Sequence, residues 1–342
     1  MPGPRRRPYE HHDHRDRRNR PRAAAGPAPC HVPTRGLIRA TLRVHQSALW
    51  FWGLLVVLIG GGLLWAAGPG VDAALAEQVR NGCTPADYCG DQGAAYNKYG
   101  LMAGLGRTVL TVVPVLIGAW AGGALIGREL ETGTARLSWT QSVTPARWLA
   151  AKLAVPAAVI VSGTVLLTLL NRLVWWREER LRQLSGTRDW WESSTFIGHG
   201  TLATAYALLG LAVGVVAGLL VRRSLPALGV GVVGTTVLTG VIQANRHLLW
   251  PAASHVSQSP EGDWTGELVD RGFITRSGER VSELTCEGGA CDRDGVAFYA
   301  DYHPSSHFWP LQLVETGIAL AVTALLVWAA FRLLRRHTGD VI

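Results

Sequence analysis

The chain has 342 residues, of which 48% are hydrophobic and only 17% charged, against about 25% charged in an ordinary soluble domain. Its mean hydropathy is +0.16. This balance excludes a disordered protein, a collagen-like fibre and a small disulfide scaffold, and it argues against a soluble enzyme. The net charge of +8 is arginine almost throughout, since Lys98 and Lys152 are the only lysines. Its placement in tails and loops between apolar runs points away from nucleic acid as a partner.

Taken in chain order, residues 1–34 are rich in arginine and proline and read as a solvated cytoplasmic tail. No apolar stretch follows that would make the tail a secretory signal, and its arginines suit contact with anionic lipid headgroups. Residues 35–47 alternate Leu37, Ile38, Leu42 and Val44 with Arg35, Arg39 and Arg43. The pattern fits an amphipathic helix lying at the membrane interface, or simply the near end of the first membrane helix. Residues 48–67 are the first of six runs long enough to cross the hydrocarbon, which takes about 20 apolar residues. The others are 108–127, 153–174, 202–221, 225–242 and 311–331. Small-residue rows recur within them: Gly118 with Gly122 and Gly123 with Gly127 in the second, and Gly210, Gly214 and Gly218 in the fourth. Residues four apart share a helix face, and small ones let backbones approach. Pro114 and Pro156 are expected to kink the second and third spans. Trp50, Trp52, Trp175, Trp176, Trp250 and Trp309 fall near the expected borders, as an aromatic belt would. Residues 246–310, polar and acidic, are expected to form a small extracytoplasmic cap between the fifth and sixth spans, and residues 311–342 the last span with its end.

Orientation follows from arginine placement. With both termini inside, the tail, the loop after the second span, Arg222–Arg223 and the cluster Arg332, Arg335 and Arg336 all face the cytoplasm, as the positive-inside rule requires. The same topology puts Cys83, Cys89, Cys286 and Cys291 outside, where disulfides form, and leaves Cys30 within. Two close disulfide pairs are the expectation; unpaired cysteines or a four-cysteine zinc site are the other readings. The expected fold class is an all-α integral membrane protein with six transmembrane helices, N-in and C-in, resident in the plasma membrane.

Polar groups near the spans are few. Asn171, Gln243 and Glu315 are candidates for a substrate pathway, because a polar group in lipid is costly unless it faces a partner or water; solvation at helix ends would also explain them. His199 is read as interfacial. His303 and His307 have helical spacing for a metal, but Pro304 and the serines beside them suggest a loop, and no metal is assigned. The chain lacks a G-x-x-x-x-G-K-[ST] phosphate loop, a G-x-S-x-G elbow, an H-E-x-x-H helix and a dinucleotide glycine fingerprint. It is therefore not expected to be an enzyme or to bind a cofactor itself.

The segment between the second and third spans reads GRELETGTARLSWTQSVTPARWLAAKL. Arg128 to Glu131 is expected to open a short polar helix, followed by a turn at Thr132, Gly133 and Thr134, and Arg147, Trp148 and Lys152 to anchor the third span. Glu129, Glu131, Gly133, Thr134, Thr140, Ser142, Arg147, Trp148 and Lys152 resemble the corresponding loop of permease subunits of ABC transporters, the type-2 exporter class. The LSWTQSVT stretch looks like its actinobacterial members, while Pro145 departs from the family's usual residue. The resemblance implies a six-span permease in which Arg128, Glu129, Glu131, Gly133, Thr134 and Arg147 form the element that couples to a separate ABC ATPase subunit. ATP and Mg would then sit on that partner, and a second permease copy or paralogue would complete a dimer. A membrane sensor or immunity protein, or a membrane enzyme with its site in the cap, are the competing classes.

Overall fold

The computed structural model describes residues 3, 42–87, 89, 93–140, 143–185, 189–259, 264–285 and 295–338. The tail, most of the proposed interfacial helix, and Cys286 and Cys291 lie outside them. Six helices are long and apolar enough to cross a membrane: Gln46–Arg80, Ala94–Glu131, Pro145–Arg177, Leu202–Val221, Ser224–Ala244 and Ser305–Arg336. They are numbered here as the first to the sixth span.

The fourth span is the axis. Within its apolar window 72% of residues are buried inside the chain, against 11% in the first span and 17% in the sixth. Apolar side chains on those outer spans, such as Phe51, Leu54, Val57, Leu325 and Trp328, are exposed. In lipid this is the favoured arrangement, because helix association there depends on close packing and not on hiding apolar surface from water.

The predicted glycine row carries that packing. A Cβ at Gly210 would stand 2.1 Å from the carbonyl oxygen of Pro114, one at Gly214 would stand 2.3 Å from that of Gly118, and one at Gly218 would meet Ile126. Gly231 of the fifth span closes on the same group, its would-be Cβ 2.4 Å from the Gly118 carbonyl oxygen. The second span therefore touches both the fourth and the fifth backbone to backbone.

Helix ends follow local chemistry. Thr144 caps the third span, its Oγ1 accepting from the backbone N–H of Arg147 at 3.4 Å, and Pro145 fills the first helical position, where its missing N–H costs nothing. The fourth span stops at Arg222 in the left-handed conformation, φ 56°. Its N–H bonds to the Gly218 carbonyl, the usual way of ending a helix.

Several expectations need correction. The first span does not stop at residue 67: a π-type segment at Ala66–Gly70, distorted at Gly68 and Pro69, carries it on to Arg80. The second span has a π segment at Ala121–Gly127, whereas Pro114 and Pro156 sit within regular α-helix. Arg128–Glu131 opens no separate helix but continues the second span; a turn at Gly133, φ 74°, then leads to the helix Thr134–Thr140. Of the border tryptophans, Trp50, Trp176, Trp250 and Trp309 are exposed. Trp52 turns inward, its indole N–H donating to the Val159 carbonyl at 3.1 Å, and Trp175 faces His199.

The segment before the sixth span forms a four-stranded antiparallel sheet in the order β1-β4-β2-β3, made of β1 Ala253–Ser257, β2 Glu267–Thr275, β3 Arg280–Ser282 and β4 Gly295–His303. The membrane part is helical throughout its six spans, with π segments in the first and second; this cap is a sheet. Cys83 and Cys89, in the connection between the first and second spans, are joined by a disulfide.

Candidate functional site

Two junctions gather the charged residues. The first lies at the Thr134–Thr140 end of the bundle. Lys152, about two turns into the third span, is buried, and a buried ammonium needs a partner. It finds Glu129 at the end of the second span, with Nζ 2.5 Å from Oε1. The other carboxylate oxygen accepts from the Trp148 indole at 3.2 Å, and that indole meets Trp139 edge to face, 5.7 Å between centroids. Lys152 also lies 2.8 Å from Nε2 of His45. Burial first, and then the Lys152 charge, lower the His45 imidazole to about 4, so it is neutral near pH 7 and accepts from the ammonium. Glu131 turns the other way and accepts the backbone N–H of Ser224 at 2.8 Å, supplying the anionic cap that a helix N-terminus favours. One short segment is thus tied to the start of the first span, the start of the third and the start of the fifth.

The proposed coupling residues fall into two groups. Glu129 and Glu131 are committed to other spans. Gly133 shapes the turn, and Thr134 adds a hydroxyl bond to the Glu129 carbonyl at 3.3 Å. Arg128 and Arg147 are exposed, and so are Arg136 and Leu137 on the intervening helix. Sequence reasoning left Arg136 and Leu137 out; only the helical face reveals them.

The second junction joins the cap to the bundle. Glu315, fully buried, receives Nε of Arg246 at 2.8 Å and one of its terminal amino groups at 3.4 Å, and the Tyr206 hydroxyl donates to it as well. The Arg246 guanidinium lies over the Phe196 ring, 4.0 Å from its centroid. Burial raises the Glu267 carboxyl, against the opposing pull of Arg246, His303 and His247. His303 donates from Nε2 to the His247 carbonyl at 3.1 Å, so its Nδ1, 3.1 Å from that of His307, is the acceptor and His307 the donor. Among the described residues no group of three metal-ligating side chains converges.

The three pathway candidates do not come together. Glu315 is sealed in its ion pair. Asn171 is buried in the third span, its amide donating to the Leu167 carbonyl at 3.0 Å. Gln243 is half-buried near the end of the fifth span. His199 lies in a buried turn, its Nδ1 donating to the Thr195 carbonyl at 2.6 Å; burial, with Arg107, Arg172 and Arg182 nearby, lowers it to about 4. Arg246, the partner of Glu315, was missed because in sequence it is one more basic residue of a loop.

Six helices long and apolar enough to cross a membrane, a connection loaded with capping and ion-pair residues, and a small cap describe a multi-pass membrane protein. A family model described as ABC-2 membrane transporter related matches residues 54–246, more than half of the chain and the first five spans. The chain belongs to this family, whose permeases generally work with an ABC ATPase. No curated protein and no solved structure matches it.

Proposed function

We propose that the chain is the membrane-spanning subunit of an ABC exporter in the plasma membrane, with both termini in the cytoplasm. It has no catalytic centre of its own. ATP and Mg bind a separate ATPase subunit, which docks on the segment between the second and third spans, and two permease chains, identical or related, face two ATPases. The observation that carries this reading is the tie of that one segment to three span ends through Glu129, Lys152, His45, Glu131 and Ser224. A push on its exposed face, where Arg128, Arg136, Leu137 and Arg147 lie, reaches three helices at once.

Charge reversal on that face tests the docking. Arg136→Glu combined with Arg147→Glu should lower co-purification of an ATPase from native membranes by about tenfold, the effect of roughly 1.4 kcal/mol. The chain should still insert and elute normally on size exclusion. Full ATPase capture by the double variant would remove this segment as the docking site.

A further inference from the structure

Between the third, fourth and sixth spans lies a cavity of about 490 Å³, within the size range of small-ligand sites. Its wall is apolar along Val161, Val165, Leu169, Leu208 and Leu320. Val165, Leu169 and Leu320 are also exposed on the outer surface of the bundle, so the cavity opens sideways toward lipid.

One end of the cavity is polar. Arg172 stands there, little more than a turn before the third span ends at Arg177. One guanidinium nitrogen donates to the His199 carbonyl at 2.8 Å, and the group lies over Trp309 and Trp176, at 5.0 and 5.8 Å from the ring centroids. These contacts fix its position but leave its charge unmatched: no carboxylate pairs with Arg172 among the described residues. Lys152, Arg177 and Arg246 each meet one, in Glu129, Asp72 and Glu315. The hydroxyl of Thr168, a residue only 8% exposed, also borders the cavity and has no hydrogen-bond partner. A fixed cation without a counter-ion, an unsatisfied donor and an apolar cleft open to lipid complement one chemistry: an anion attached to an acyl chain.

We propose that this cleft binds an anionic phospholipid of the leaflet on the cap side, with its phosphate at Arg172 and an acyl chain along Val165, Leu169 and Leu320. An Arg–phosphate contact is charge-assisted and directional, and a choline cation on the same headgroup would compete with Arg172 for the phosphate, so a headgroup of net negative charge is favoured. The assignment stands independently of ATPase docking, since the residues it uses run from the middle of the spans to their cap-side ends and none belongs to the docking face.

The full chain, reconstituted in phosphatidylcholine vesicles with a trace of photoreactive phosphatidylglycerol or photoreactive phosphatidylcholine, supplies the test through peptide mapping of the crosslinks. Labelling of residues 161–172 and 201–208 should favour phosphatidylglycerol by about tenfold. Arg172→Gln should abolish that preference, Arg172→Lys should keep part of it, and Leu208→Trp, which fills the cleft without touching the arginine, should reduce labelling by both lipids. Excess soluble glycerol phosphate should not compete. Equal labelling by the two lipids in the wild type, a preference that survives Arg172→Gln, or displacement by glycerol phosphate would each overturn the proposal; the last would assign the cation to a soluble anion.

Discussion

Two buried ion pairs hold the two ends of this molecule, and they are built differently. At the cap, Arg246 and Glu315 have side chains 4% and 0% exposed, and both carboxylate oxygens are occupied by Arg246 and Tyr206. At the other end, Lys152 is equally hidden but Glu129 retains 19% exposure, and its neighbours sit on a short helix and a turn. The cap pair is a closed clamp between the fifth and sixth spans. The Glu129 pair is a half-open latch, reachable from the water in which a partner would dock. Burying charge costs several kcal/mol per ion, repaid only by good geometry, so a latch left partly wet breaks more easily than a sealed clamp.

Substitutions can break the comparison. Glu315→Ala leaves the Arg246 guanidinium buried without a counter-charge and should cost about 3–5 kcal/mol, read as a fall in Tm of the detergent-purified protein. Replacing both partners, Arg246→Met with Glu315→Leu, should recover most of that loss, because removing a whole buried pair is often close to neutral. If the double variant is as unstable as the single one, the clamp holds the fold through something other than charge pairing.

Glu129→Ala should cost less, about 1–3 kcal/mol, since water reaches the site and His45 remains beside Lys152. A loss equal to that of Glu315→Ala would make the two junctions equivalent and remove the distinction drawn between them.

The smallest effect sharpens what the junctions share. His45 and His199 are both held neutral, their pKa values lowered from 6.5 to about 4. A histidine depressed in the folded state contributes stability that is present above its unfolded pKa. That stability is lost as the pH falls through the window from about 6.5 to 4, where the unfolded chain takes up protons that the folded one refuses. Tm should therefore decline across that interval, and His45→Gln with His199→Gln should flatten the decline. An acid slope unaltered in the double variant would place its origin in the carboxylates.

The six spans were legible because hydrocarbon thickness imposes a length, and any run of about 20 apolar residues declares itself. The glycine row at 210, 214 and 218 was legible for a similar reason: a spacing of four puts residues on one helix face. The strands of the cap were not. β1 and β3 are short, and β2 reads ELVDRGFIT, with charges between its apolar positions; only pairing, such as Phe273 opposite Phe298, turns such segments into a sheet. Helix irregularities are expected at the mid-span prolines Pro114 and Pro156, whereas the π segments occur at Gly68 with Pro69 and in the glycine-rich stretch 121–127. The segment between the second and third spans stood out by residue type, but the inward turn of Glu129 and the helix-capping role of Glu131 depend on partners 23 and 93 positions away.

Backbone contact among the second, fourth and fifth spans has a mechanical consequence. At Gly210, Gly214 and Gly231 the facing group is a main-chain carbonyl, which cannot swing aside as a side chain can, so sliding one helix past another there would meet backbone. We therefore expect the three to move as one keel, with a change of shape taken up by the first, third and sixth helices around it.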